Sequence, residues 1–163
     1  MCYLRQLSSN DGEDIYMLLQ HIGFEENAFT NPVKGMSYDE YEKWLIQQDN
    51  WSKNIDLPQG YVGQTCYYLM VNDIPVAFGK IRHSLTKQSR IKGGNIGYAV
   101  SDKYRGKGYG TMILKLLLVK AEELNIKEKL LTVEKINPAS KRVIEKNGGR
   151  MISENSDRWF FEF

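Results

Sequence analysis

The segment from Ile96 to Thr111 constrains this chain more than any other. It reads Ile96-Gly97-Tyr98-Ala99-Val100-Ser101-Asp102-Lys103-Tyr104-Arg105-Gly106-Lys107-Gly108-Tyr109-Gly110-Thr111 and runs directly into Met112-Ile113-Leu114-Lys115-Leu116-Leu117-Leu118. Ile96, Tyr98 and Val100 alternate with small residues, as in a strand. The apolar run that follows predicts a helix. Between them lies a short basic loop with Gly106, Gly108 and Gly110 at every second position. Without Cβ atoms, such a loop can turn several backbone N–H groups toward one point. The helix start adds unpaired N–H groups and the positive end of its dipole. Arg105 and Lys107 add full charges, so the sum is an anion site suited to a pyrophosphate.

Two common phosphate loops do not fit. A Walker A loop needs G-x-x-x-x-G-K-[ST], and neither Gly-Lys-Ser nor Gly-Lys-Thr occurs. A dinucleotide fingerprint needs G-x-G-x-x-G, and here the third glycine arrives one residue early. It also usually opens the first βαβ unit, whereas this loop lies past mid-chain. The spacing that fits is Arg105-x-x-Gly108-x-Gly110 directly after a strand. It resembles the coenzyme A pyrophosphate loop of the GNAT superfamily of N-acetyltransferases, Gln/Arg-x-x-Gly-x-Gly/Ala.

A chain of 163 residues predicts one domain, residues 1–163, with room for a real core. The net charge of +2 is too small to argue for nucleic acid or an anionic membrane as partner. Cys2 and Cys66 are the only cysteines, which fits a reduced, cytoplasmic setting with Cys66 in the core. With no C-x-x-C and two histidines, no metal site is signalled. No apolar run is long enough to span a bilayer, and no apolar signal core opens the chain.

Tyr3 to Leu7 reads as a strand. Ile15, Leu18, Leu19 and Ile22 follow at helical spacing, with Gly23 as the stop. Residues 24–32 have no period. Ser37-x-x-Glu40 is a capping box, and Tyr41, Trp44, Leu45 and Gln48 mark one face of a second helix. Asn50 to Gly63 reads as loop. Thr65 to Val71 and Ile74 to Arg82 form a hairpin through Asn72-Asp73. Ser84 to Gly94 reads as a polar loop. After the organising strand and the helix Tyr109 to Leu124 come a strand over Lys129 to Glu134 and a helix from Asn137-Pro138, capped by the one and started by the other. Gly148 stops that helix, and Arg150 to Ser153 and Arg158 to Phe163 are the last strands. The order β-α-α-β-β-β-α-β-α-β-β predicts an α/β (α+β) fold with a mixed sheet.

This order is also that of the GNAT fold, and the resemblance implies a mostly antiparallel central sheet of about seven strands flanked by about four helices. A second matching piece is Asn137-Pro138-Ala139-Ser140 through Glu145-Lys146-Asn147-Gly148-Gly149, which resembles the superfamily's Asn-x-x-Ala/Ser…Glu-Lys-x-Gly segment. Narrower details, Ile81-Arg82-His83 and Gly93-Gly94-Asn95-Ile96-Gly97-Tyr98 among them, resemble a poorly characterised bacterial branch. The resemblance implies acetyl-CoA as cosubstrate. Its contacts would be Tyr98, Ala99 and Val100 on the strand, Arg105, Gly106, Lys107, Gly108, Tyr109, Gly110 and Thr111 in the loop, and Asn137 and Ser140 beyond. In the family the strands corresponding to Ile96–Ser101 and Lys129–Glu134 splay apart, and the pantetheine arm lies between them.

The chemistry that follows is direct attack of an amine on a thioester. An alkyl amine with pKa about 10.4 must lose a proton at a cost of roughly 4–5 kcal/mol near pH 7, whereas a thiol with pKa about 8.5 departs as thiolate for about 2 kcal/mol. A base therefore matters more than an acid. Many relatives place an acid at the start of the strand Ile96–Ser101; here that place, Gly93 to Asn95, holds none. His83 and Glu134 are the remaining catalytic candidates, and Glu25 and Glu26 are candidates for drawing in a cationic amine acceptor. The family often has a tyrosine seven residues after the Asn, where this chain has Ile144. The acceptor, a small amine or an amino group of a larger molecule, stays open, as does a homodimer. A non-catalytic acetyl-CoA sensor is the alternative reading.

Overall fold

The structure, a computed structural model, describes residues 1–26 and 29–163. In chain order its elements are β1 (Cys2–Gln6), α1 (Glu13–Gln20), β2 (Glu25–Glu26), β3 (Phe29–Thr30), α2 (Tyr38–Ser52), β4 (Gln64–Val71), β5 (Ile74–Arg82) and α3 (Lys87–Ile91). They continue with β6 (Ile96–Val100), a 3-10 turn at Asp102–Tyr104, α4 (Tyr109–Glu123), β7 (Leu130–Glu134), α5 (Pro138–Lys146), β8 (Arg150–Glu154) and β9 (Arg158–Glu162).

Strands β1-β4-β5-β6 form an antiparallel sheet in that order, β7-β9-β8 form a second antiparallel sheet, and β2 pairs only with β3. The fold is thus the mixed α/β, mostly antiparallel arrangement expected, with nine strands in three sheets and five helices among the described residues. The additions are the shortest elements. The segment at 24–32, read as aperiodic, holds the paired β2 and β3, with Asn27 and Ala28 lying outside the described residues. The loop at 84–94 holds α3, started by a Thr86–Ser89 capping box that has serine where the usual pattern has an acid or amide.

The central strands are buried on both faces, so they read as continuous apolar runs rather than as alternation. Cys66, Tyr68, Met70 and Phe78 face one core with Ile15 and Leu19 of α1 and Tyr41, Trp44 and Leu45 of α2. Tyr67, Leu69, Ala77 and Ile81 face the other, with Ile113, Leu114 and Leu117 of α4. Helix α4, apolar around most of its girth, covers that second face. Asn72 and Asp73 both have positive φ (48° and 63°), which closes the β4–β5 hairpin in the sense that suits strand twist. The Ser37–Glu40 box is formed as read, as are the Asn137 cap and the proline in the first turn of α5.

The feature that positions the site is a seam. β6 and β7 are neighbours but share no ladder. At its closed end, Asn95 is fully buried; its backbone N–H donates to the Leu130 carbonyl (3.0 Å), its Oδ1 accepts from the Leu130 N–H (2.8 Å), and its Nδ2 donates to the Glu128 carbonyl (2.6 Å). The Gly93 N–H donates to Thr132 Oγ1 nearby (3.0 Å). Beyond these bonds the two strands part, and a groove opens along them.

Candidate active site

The loop after β6 owes its shape to two glycines. Gly106 (φ +75°) and Gly108 (φ +82°) hold left-handed backbone that side chains with a Cβ adopt at a cost. A Cβ added at either would meet nothing within 4 Å, because both border the open groove. Gly108 is also the N-cap of α4, and no side chain among the described residues caps that helix. The first bond of α4 runs from the Met112 N–H to the Gly108 carbonyl (3.1 Å), which leaves the N–H groups of the first turn without helical partners. An uncapped helix start in a basic glycine loop fits a diphosphate.

The groove measures about 930 Å³. Tyr98, Ala99, Val100, Arg105, Gly106, Gly108, Tyr109, Gly110, Thr111, Asn137 and Ser140 all line it, as do Glu25, Glu26 and Glu134. Lys107 stands apart, its Nζ 5.6 Å from the Tyr104 ring centre. Asn137 spends its Oδ1 on the Ser140 N–H (3.1 Å), so it caps α5 at the groove wall. Tyr104, Ile136, Ala139 and Val143, none of them a candidate from the motifs, line the groove too. Ala139 and Val143 are four apart on α5, next to Ser140, and helical spacing could have found that face.

Tyr98 and Ser140 meet across the groove, hydroxyl to hydroxyl at 3.1 Å. Burial pushes the Tyr98 phenol up to about 12, opposed in part by the bond to Ser140. Ile144, in the place where a tyrosine was looked for, is 1% exposed and packed in the core. Of the three tyrosines that line the groove, Tyr98, Tyr104 and Tyr109, Tyr98 is the one that also walls the small cavity beside it.

The acidic candidates are engaged. Glu26 pairs with Arg105, Glu25 with Lys92 (3.0 Å), and Glu134 Oε1 accepts from the largely buried Arg158 (2.9 Å). The two glutamates read from sequence as a lure for a cationic acceptor thus already face cations of this chain. His83 lies off the groove lining. Its Nε2 meets Thr65 Oγ1 (2.8 Å), its backbone N–H donates to the Gly63 carbonyl (2.8 Å), and burial lowers the pKa of its ring. Gly93 to Asn95, where an acid was sought, is the joint that binds β6 to β7.

Two further charged residues border the seam. Lys80 and Arg82 of β5 line a small cavity together with Phe29, Thr132 and Ile144, and Tyr98 and Ser140 are walls of both that cavity and the groove. Burial lowers the pKa of both, Lys80 to about 8.

The family model of the GNAT acetyltransferase domain matches residues 2–150. No curated protein sequence matches the chain. Among solved structures, the fold is similar to that of the N-acetyltransferase PseH of Campylobacter jejuni in complex with acetyl coenzyme A, at TM-score 0.66 and 10% identity over 100% of this chain and 98% of that one. It is similar to RimL, a ribosomal L7/L12 α-N-protein acetyltransferase in complex with coenzyme A, at TM-score 0.71 and 13% identity over 99% and 93%. A spermidine N-acetyltransferase SpeG chimera from Vibrio cholerae gives TM-score 0.64 and 15% identity over 99% and 95%.

Proposed function

The chain belongs to the GNAT acetyltransferase family, and on that premise we propose that it moves an acetyl group from acetyl-CoA to a primary amine by direct attack within a ternary complex. The observation that carries this is the uncapped start of α4, with Gly106 and Gly108 at positive φ, opening into the groove between β6 and β7. Acetyl-CoA, when bound, supplies a thioester whose carbonyl carbon an amine can attack; the N–C bond forms, the C–S bond breaks, and the ammonium's proton must leave.

The residues divide the work as follows. The N–H groups of Tyr109, Gly110 and Thr111, with Arg105, would hold the diphosphate. Tyr98, Ala99, Val100, Asn137 and Ser140 would line the arm that leads to the acetyl group. For the proton we propose Glu134 ahead of His83, since Glu134 lines the groove and His83 is turned to Thr65. The Tyr98 hydroxyl, protonated throughout the neutral range, would donate to the sulfur as it leaves. That assistance is modest, because a thiolate departs for only about 2 kcal/mol at pH 7. Tyr98→Phe should accordingly lower kcat by less than about tenfold and leave KM for acetyl-CoA nearly unchanged. A loss of a thousandfold would give Tyr98 a larger part than this.

The decisive assay is release of free CoA thiol with polyamines, amino acids, aminoglycosides and peptide N-termini as acceptors. Amine-dependent release supports the transferase. Stabilisation by acetyl-CoA with no release by any amine would favour the sensor, a reading that the structural joint at Gly93 to Asn95 keeps in play. Cys2 and Cys66 are both free thiols, and no helix among the described residues is long and apolar enough to cross a membrane. We propose a bacterial cytoplasm on the sequence resemblance and the two free thiols.

A further inference from the structure

We propose that the cavity behind β6 receives a carboxylate, so that the acceptor is an amino acid or a similar small amine bearing one; this rests on the acetyl-transfer reading above. Lys80 and Arg82 are two apart on β5 and therefore project from the same face of the sheet. Both line the cavity. Lys80 is only 7% exposed; its Nζ donates to the Thr30 carbonyl (2.9 Å) and stands 4.8 Å and 5.9 Å from the ring centres of Phe29 and Phe78. Arg82 Nη1 donates to the Gly94 carbonyl (2.9 Å). Among the described residues no carboxylate pairs with either, and the neighbours that shift the pKa of Lys80 are the Cys66 thiol and Arg82 itself.

A buried lysine and a half-buried arginine two apart on one face, with no counter-charge among the described residues, are unfavourable by desolvation and by mutual repulsion. One anion between them answers both costs. The cavity is small, about 20 Å³, room for little more than a carboxylate oxygen, so the rest of the molecule would stay in the groove. Tyr98 and Ser140 are walls of this cavity and of the groove alike. A carboxylate held on Lys80 and Arg82 would leave the amine of the same molecule free to reach past these shared walls into the groove, where the acetyl group is expected. The charge pattern at the groove mouth does not oppose this, because Glu25 and Glu26 are already matched by Lys92 and Arg105.

The test uses acceptor pairs that share an amine and differ in the carboxylate: leucine and isoamylamine, phenylalanine and phenethylamine, lysine and cadaverine, with spermidine beside them. CoA-thiol release gives kcat/KM, and calorimetry in the presence of CoA gives binding. The carboxylated member should be preferred by at least about tenfold, mainly through KM, as for a charge-assisted hydrogen bond gained. Lys80→Met and Arg82→Met keep an aliphatic stem and should each bring that ratio toward one, while the melting shift caused by acetyl-CoA persists and shows that the fold and the loop are intact. The proposal is overturned if the amines without carboxylate or spermidine are preferred, or if both variants keep the wild-type ratio. It is also overturned if an amine without carboxylate releases CoA while no carboxylated amine reacts or binds, in which case the acetyl-transfer reading still stands. Absence of acetyl-CoA binding would remove that underlying reading and this proposal with it.

Discussion

Asn95→Ala should lower the melting temperature by roughly 6–12 °C. The side chain is fully buried and makes two of the bonds that pin β6 to β7. Its removal leaves the buried Leu130 N–H and the part-buried Glu128 carbonyl without those partners. Each orphaned group costs about 1–3 kcal/mol, so about 3 kcal/mol is a moderate expectation. At this chain length 1 kcal/mol corresponds to roughly 2–4 °C. Asn95→Asp separates shape from hydrogen bonding. It keeps the acceptor for Leu130 but turns an oxygen toward the Glu128 carbonyl, so it should melt no higher than Asn95→Ala. A melting temperature within about 2 °C of wild type for both variants would show that the joint is dispensable. No side-chain substitute is available next door, since a Cβ on Gly94 would sit 2.0 Å from the Leu130 oxygen.

Asn95 also shows where reading from sequence stopped. The strand, glycine loop and helix from Ile96 onward were legible because their cues are local: alternation, closely spaced glycines, an apolar run. The Asn137 cap and the Ser37–Glu40 box were legible for the same reason. Asn95, by contrast, stood at a place searched for an acid, and nothing near it in sequence says that it will bond to Glu128 and Leu130, more than thirty residues on. The pair Glu26 and Arg105 lies 79 positions apart, so a glutamate that looked available to a substrate proved to be answered within the chain. His83 was placed correctly at a strand end, yet only the sheet's register decides that it turns to Thr65 rather than to the groove. Lys80 drew no notice in an apolar strand, although a lysine in a strand buried on both faces is itself a signal.

In the wild type, acetyl-CoA at one hundred times its Kd should add about 2.7 kcal/mol of stability, or roughly 5–10 °C in melting temperature. Gly108→Val should remove most of that shift. Two effects act at this one residue. A β-branched side chain at φ +82° strains the turn, which lowers the melting temperature of the free protein. Separately, the Cβ and its methyl groups would stand in the space that now borders the groove at the first turn of α4, where a diphosphate must approach the backbone. The second effect is the one of interest, and Gly35→Val isolates it. Gly35 has φ +87° and equally open surroundings, but it does not line the groove. The two variants should lose comparable stability without ligand, while only Gly108→Val loses the response to acetyl-CoA. Equal responses in both would mean that the strain alone was being measured and that the loop does not hold the diphosphate. A wild type that shows no shift at millimolar acetyl-CoA would remove the premise of the whole functional reading, because a GNAT fold whose uncapped helix start binds no acyl-CoA has no acetyl group to transfer.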